Sequence, residues 1–346
     1  MKRVSTALLA AAQLICLLCA CGGASAPAAG ASQGVPEKTS VAFCMGAVNH
    51  PVRRIAQLGF LEAADELGYA GHIVGLEEIC IQELYDCWEQ SAEAYPIAGA
   101  VCWVDEASAY ESLKRLHGMG VKIVTVPYRC EYMDTNHIIG ANVCLGDESE
   151  TAVLVAEYIA GNLKGMNVES GSIGISYSGS SSDIYHPPYA FREYMEAQYP
   201  EYRVLGPVWD ATPSVAKDEA VQKIESNPDM AAAFGMRGGG ARAWAEAKSI
   251  TGRSDIFIVG YESSKDNLDL LTAGEIDMLV SRPIYKTGYV GMTRLDELLN
   301  GKELNISEAK WRTTLDMEFV YPGGAGVHDP AYYYDQYARA EERFSQ

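Results

Sequence analysis

Two spacings of apolar residues alternate along this chain from residue 41 onward. Short β-branched runs are followed by longer stretches in which apolar residues return every three or four positions. Val41-Ala42-Phe43-Cys44-Met45 reads as a strand. Ile55, Leu58, Phe60, Leu61, Ala64 and Leu67 then form the stripe of a helix over about 53–67. Strands are predicted at 72–74, 97–103 and 121–126, with helices at about 82–94 and 108–117 between them. Gly68, Gly118 and Gly120 stand where these helices should stop. The pattern restarts with helices at about 148–163, 190–198, 213–226, 241–250 and 266–273, interleaved with strands at 172–176, 204–205, 231–234, 256–260 and 277–281. Such alternation predicts parallel sheets covered by helices on both faces, and its restart predicts two of them. The fold class expected is α/β, with two Rossmann-like lobes. Ligands of open parallel sheets bind beyond the carboxyl ends of the strands, so two facing lobes make a cleft.

The first residues follow neither spacing. Lys2 and Arg3 precede an apolar run from Val4 to Leu18, long enough for an export signal and too short to span a bilayer. It ends in Leu18-Cys19-Ala20-Cys21, which resembles the bacterial lipobox. Residues 1–20 are therefore expected to be a signal peptide and Cys21 the lipidated first residue of the mature protein. An ordinary secretory signal is the alternative, but no A-x-A site is better placed. Residues 21–40 are small, Pro-containing and nearly uncharged until Glu37, too poor in apolar surface to fold. They read as a flexible tether with a reach of roughly 25 Å. The expectation is an extracytoplasmic protein held on the cell membrane by lipid alone.

Lys+Arg 27 against Asp+Glu 46 gives a formal net charge of -19, and loss of the leader makes the balance more acidic. Such a surface disfavours nucleic acid and anionic lipid, while leaving room for a local basic cleft. Of the nine cysteines, Cys44 and Cys102 lie in strand-like runs and read as buried thiols. Cys80 with Cys87, or Cys130 with Cys144, are candidates for pairing in loops. No C-x-x-C or His/Cys cluster points to a metal, and no cofactor is expected.

Several motifs fall in a telling order: Gly59-Phe60 with Ala63-Ala64-Asp65-Glu66-Leu67-Gly68, Gly120 to Val126, Ile258-Val259-Gly260-Tyr261-Glu262, Ala273-Gly274-Glu275-Ile276-Asp277, and Pro283-Ile284-Tyr285-Lys286-Thr287-Gly288. On these, over about residues 41–300, the chain resembles the type I periplasmic substrate-binding proteins, the ribose- and galactose-type receptors of ABC importers. The resemblance implies a three-strand hinge with crossings near Ala141-Asn142, Ser281-Arg282 and Arg312-Thr313. Lobe one would combine 41–141 with 283–311, and lobe two 142–282 with 312–346. The segment after Pro322, ending in a charged helix to Phe344, is longer than the resemblance implies and is expected to pack on lobe two.

Against that family the loops depart in one direction. Asn49-His50-Pro51-Val52 lacks the sugar-stacking ring that usually follows an Asn-Pro. Arg129, Arg237 and Arg282 stand where sugar receptors tend to carry acids or amides, and a guanidinium makes a bidentate fork to a carboxylate or phosphate. A sugar acid or sugar phosphate is the sharper expectation on that ground, with inter-lobe ion pairs the competing role for the arginines. Candidate contacts are Asn49, His50, Trp103, Tyr128, Arg129, Tyr185, His186, Trp209, Arg237, Glu262 and Arg282, with Glu262 also suited to bracing its loop.

Enzymatic motifs are weak. Gly174-Ile175-Ser176-Tyr177-Ser178-Gly179 carries Ser178 where G-x-S-x-G needs its second glycine, and neither H-E-x-x-H nor a phosphate loop occurs. A DNA-binding regulator of this fold would need a helix-turn-helix where the leader stands. The function expected is capture of a small carbohydrate-like solute by a monomer and delivery to an ABC permease. The alternative is a receptor presenting its solute to a sensor kinase or chemoreceptor.

Overall fold

The computed structural model describes residues 38–77, 81–104, 107–130, 137–177, 187–206, 208–209, 213–236, 239–302 and 311–345. Lys38–Gln346 form one compact unit. In chain order its first half runs β1 (Ser40–Met45), α1 (Pro51–Leu67), β2 (Ala70–Gly75), α2 (Ile81–Ala94), β3 (Gly99–Trp103), α3 (Tyr110–Gly118), β4 (Lys122–Val126) and β5 (Ala141–Leu145). Then come α4 (Glu148–Gly165), β6 (Gly171–Tyr177), α5 (Pro187–Gln198), β7 (Tyr202–Val204), β8 (Val208–Trp209), α6 (Pro213–Ser226), β9 (Met230–Gly235) and α7 (Gly240–Thr251). The last part holds β10 (Phe257–Tyr261), α8 (Lys265–Thr272), β11 (Met278–Ser281), α9 (Ile284–Leu299), β12 (Arg312–Leu315), β13 (Glu318–Val320) and α10 (Pro330–Phe344).

Two sheets result, as the restarted pattern requires. The first has the order β12-β5-β4-β3-β1-β2 and is parallel throughout. The second runs β13-β11-β10-β9-β6-β7, with β8 paired to β6 and only β13 antiparallel. Strands such as Gly99–Trp103 and Phe257–Tyr261 are buried at every position, because helices cover both faces and leave no solvent side to carry polar residues.

Two expected lobe boundaries move. All of Ala141–Leu145 pairs in the first sheet, and Arg312–Leu315 lies beside it in register, Arg312 opposite Asn142 and Leu315 opposite Leu145. The crossings therefore follow β5 and β12 instead of preceding them, at Gly146-Asp147 and Asp316-Met317. Residues 142–145 and 312–315 belong to lobe one, since a strand must join the sheet whose hydrogen-bonding edge it completes. β5 escapes the hydrophobic pattern because Asn142 interrupts it. The amide of this buried side chain donates to Thr125 Oγ1 at 3.1 Å and to the Tyr128 carbonyl at 2.9 Å.

Lobe one is closed by α1 lying against α9. Pro51 occupies the first turn of α1 and Gly68 ends it at φ 85°, both suited to their positions. Where the helices cross there is no room for side chains: a Cβ on Gly288 would stand 1.8 Å from the Ala56 carbonyl oxygen, and one on Gly59 2.2 Å from that of Tyr285.

The C-terminal helix is the largest departure. It does not pack on lobe two alone. Tyr333 Oη lies 2.7 Å from Glu318 Oε2 and Tyr334 donates to Asp269 at 2.6 Å, both on lobe two. Arg339 donates to Glu62 at 2.8 Å and Arg343 to Asp65 at 2.9 Å, both on α1 of lobe one. Ala340 packs with Ile55 and Leu58. A 15-residue helix is long enough to reach across both lobes.

Cys44 and Cys102 are buried register partners on β1 and β3, and the neighbouring Cys102 with burial pushes the Cys44 thiol up. Cys130 and Cys144 are not joined: Cys130 Sγ sits 2.9 Å from Thr125 Oγ1 and Cys144 Sγ 3.6 Å from Thr314 Oγ1. Cys80 and residues 1–37, with Cys21, lie outside the described residues. Among the described residues no helix is long and apolar enough to cross a membrane.

Candidate functional site

The carboxyl ends of the two sheets and α10 enclose a cavity of about 360 Å3. Lobe one contributes the turn after β1 and the ends of β3 and β4. Ala47 holds φ 48° there, His50 caps α1 in extended conformation, and Arg53 lies one turn into the helix. Arg53 Nη1 donates to the Gly46 carbonyl at 2.8 Å, and its guanidinium carbon stands 5.0 Å from the centroid of the Trp103 ring, within cation–π range. Tyr128 is 43% exposed and lines the cavity. Asn142, by holding the Tyr128 carbonyl, fixes the turn that presents it.

Lobe two contributes the turn after β10 and the end of β11. Glu262 adopts φ 74°, a left-handed conformation that costs a non-glycine residue energy and is retained where surrounding contacts impose it. The contacts are visible. Glu262 N–H donates to the Val280 carbonyl at 2.7 Å, and buried Asn267 donates through Nδ2 to the carbonyls of Tyr261 at 2.9 Å and Glu262 at 3.0 Å. Asn267→Ala should therefore cost about 1–3 kcal/mol through two orphaned carbonyls. The shift of the urea midpoint in equilibrium unfolding measures it.

Arg282 is the charged centre of this wall, with its side chain 15% exposed. It pairs with Glu148 at the start of α4, lies 3.9 Å from Glu262 Oε1, and covers the Tyr261 ring at 5.6 Å. Burial works against its positive charge, yet Tyr261, Glu148, Tyr128 and Glu262 outweigh burial, and its pKa stays above the ordinary arginine value. Its charge is matched inside lobe two by two carboxylates. The third wall is α10, which turns Tyr333, Gln336 and Tyr337 toward the cavity. Tyr337 donates to the Ser263 carbonyl at 3.2 Å, and burial, then Glu262, pushes its hydroxyl up to about 12.

A sequence profile described as a periplasmic binding protein domain matches residues 41–303, most of the chain. The chain belongs to the periplasmic binding protein family. Its architecture is also that of solved structures with little sequence in common. One is a sugar ABC transporter sugar-binding protein from Bacillus halodurans, with a TM-score of 0.70 at 19% identity over 86% of this chain and 100% of that one. An arabinose binding protein from Geobacillus stearothermophilus gives 0.69 at 18% identity over 83% and 97%. An ABC transporter solute binding protein from Agrobacterium vitis, bound with alpha-D-tagatopyranose, gives 0.64 at 17% identity over 86% and 98%. The family is extracytoplasmic and its members bind solutes instead of transforming them; this chain has the two-lobed fold of the type I class.

In this binding protein, His50, Trp103, Tyr128, Glu262 and Arg282 come together around the cavity. Asn49 does not line it. Its Oδ1 accepts from Arg54 at 3.0 Å on the outside of α1, because the turn before the helix points it away. Arg129 lines a neighbouring cavity of about 290 Å3, beside Asp147 and Glu148. Tyr185, His186, Arg237 and the Trp209 side chain lie outside the described residues. Arg53, Ser263, Ser264, Tyr333, Gln336 and Tyr337 line the cavity as well and are missed by a search confined to strand ends. The i, i+3, i+4 spacing of Tyr333, Gln336 and Tyr337 marks one helix face, but no local signal says what that face covers.

Proposed function

We propose that the protein is a lipid-anchored receptor that captures a neutral monosaccharide between its lobes and delivers it to an ABC importer. The observation that carries the choice of ligand is the balance of charge in an aromatic cavity. Arg282 is matched by Glu148 and Glu262, and Arg53 is engaged by the Gly46 carbonyl and the Trp103 ring, so both guanidinium groups of the wall already have partners within the protein. That balance argues against the sugar acid or phosphate expected from the arginines alone. Trp103, Tyr128, Tyr333 and Tyr337 make the lining rich in aromatic residues, a chemistry suited to a polyhydroxylated ring. A volume of about 360 Å3 is at the low end of the roughly 300–1,000 Å3 of small-molecule sites, which fits a single sugar ring better than a chain. The sugar receptors among the similar folds point the same way.

Anchoring through Cys21 and a tether over 21–40 would keep this body near a permease in the same membrane. The test is a thermal-shift panel of neutral pentoses and hexoses, sugar acids, sugar phosphates, nucleosides and amino acids, followed by calorimetry of any hit. A neutral sugar at 100 times its Kd should stabilise the protein by about 2.7 kcal/mol. A shift confined to anionic sugars would overturn the neutral-ligand reading, and no shift with any sugar would overturn the carbohydrate reading altogether.

A further inference from the structure

We infer that α10 is a working wall of the solute site, and that Gln336 and Tyr337 decide which sugar is accepted by hydrogen bonding to its hydroxyls. The inference rests on the solute-binding reading above. α10 lies beyond residues 41–303, where the family match ends. Its position is held from both sides. Tyr333 and Tyr334 tie it to Glu318 and Asp269 of lobe two, while Arg339 and Arg343 tie it to Glu62 and Asp65 of lobe one. Lys286 of α9 also reaches Glu318 at 2.5 Å, so this buried carboxylate of lobe two accepts from lobe one and from the helix.

Gln336 is only 4% exposed, yet it lines the cavity. An amide buried at such a wall must find partners or destabilise the fold. It has two donors and one acceptor oxygen, and the Tyr332 hydroxyl is among its neighbours. This capacity stands beside Tyr337, whose hydroxyl already bridges to the Ser263 carbonyl of lobe two. A sugar hydroxyl in reach of both would complete this network, and a deoxy sugar or an epimer would leave it open. Sites built to hydrogen-bond a hydroxyl reject analogues that lack it far more strongly than apolar pockets reject a missing methylene.

The experiment uses the full-length protein, with Gln336→Met and Tyr337→Phe, in calorimetry against a panel of neutral monosaccharides, their epimers and deoxy analogues. The expected result is at least a tenfold loss of affinity for the preferred sugar in Gln336→Met, and a smaller preference over the deoxy analogue in both variants. Variants that melt cooperatively and keep wild-type affinities and ratios would overturn the inference while leaving the binding reading intact. Wild type that binds no member of the panel would overturn both. Hydrogen exchange on the wild type reads the same point without any variant. Added sugar should slow exchange across residues 330–344, and protection confined to the loops of the two sheets would overturn the role of α10.

Discussion

Gly288→Val should lower the stability of the protein by about 3 kcal/mol or more, and in a thermal melt by several degrees at about 2–4 °C per kcal/mol. The first atom added at this position would fall 1.8 Å from the Ala56 carbonyl oxygen and 2.9 Å from the Phe60 nitrogen. Those are backbone atoms of α1, which cannot rotate aside as a side chain does. Relief requires the two helices to part, and parting them opens the cluster of Phe60, Met292 and Leu295 that fills one face of the first sheet. Overpacking of a well-filled core costs typically about 1–3 kcal/mol, more when backbone must move. Gly161→Ala is the matched control. Gly161 lies inside α4 with nothing within 4 Å of an added Cβ, and alanine there should raise stability by up to about 1 kcal/mol.

Arg282→Ala should cost about 3 kcal/mol and weaken solute binding in the same step. Removing one member of a largely buried ion pair leaves the others unpaired, which is worse than removing the whole set. Glu148 and Glu262 would then face each other across the cavity wall without their shared cation. The double variant Arg282→Met, Glu148→Gln should recover part of the loss, because it deletes the stranded charge along with its partner. Urea unfolding of wild type, Arg282→Met, Glu148→Gln and the double variant closes the cycle. Loss of anion binding by Arg282→Ala with stability unchanged would instead make this arginine a ligand fork, and the charge balance of the site would have to be drawn again.

Much of this architecture can be read from local pattern, since strands buried on both faces write themselves as apolar runs and helices between them as stripes. His50, Trp103, Tyr128, Glu262 and Arg282 were reachable by one rule, that parallel sheets place their ligand loops at strand ends. What escaped is non-local. Asn142 looks like an interruption because its reason for being buried is a carbonyl 14 residues away. Arg53 looks like the solvent face of α1, and only the folded chain sets it over Trp103. α10 carries an evident helical pattern, yet its partner Glu62 is 277 residues distant. The carboxylates beside Arg282 are equally hidden from local pattern, since they sit at the starts of other segments, Glu148 in the first turn of α4 and Glu262 after β10.

The edge strand β12 pairs with β5 across some 170 residues, as the Cys144–Thr314 contact shows. A chain synthesised from its amino end therefore displays the bare edge of β5 while every strand of the second sheet except β13 is made. Such an edge is a template for pairing with other chains, and domains built early wait for late segments at the risk of misassembly. The cavity waits longer still, for Tyr333 and Tyr337 on α10 follow every strand of both sheets in the chain. A product clipped or stalled before residue 330 would keep most of both sheets and lack one wall of its site.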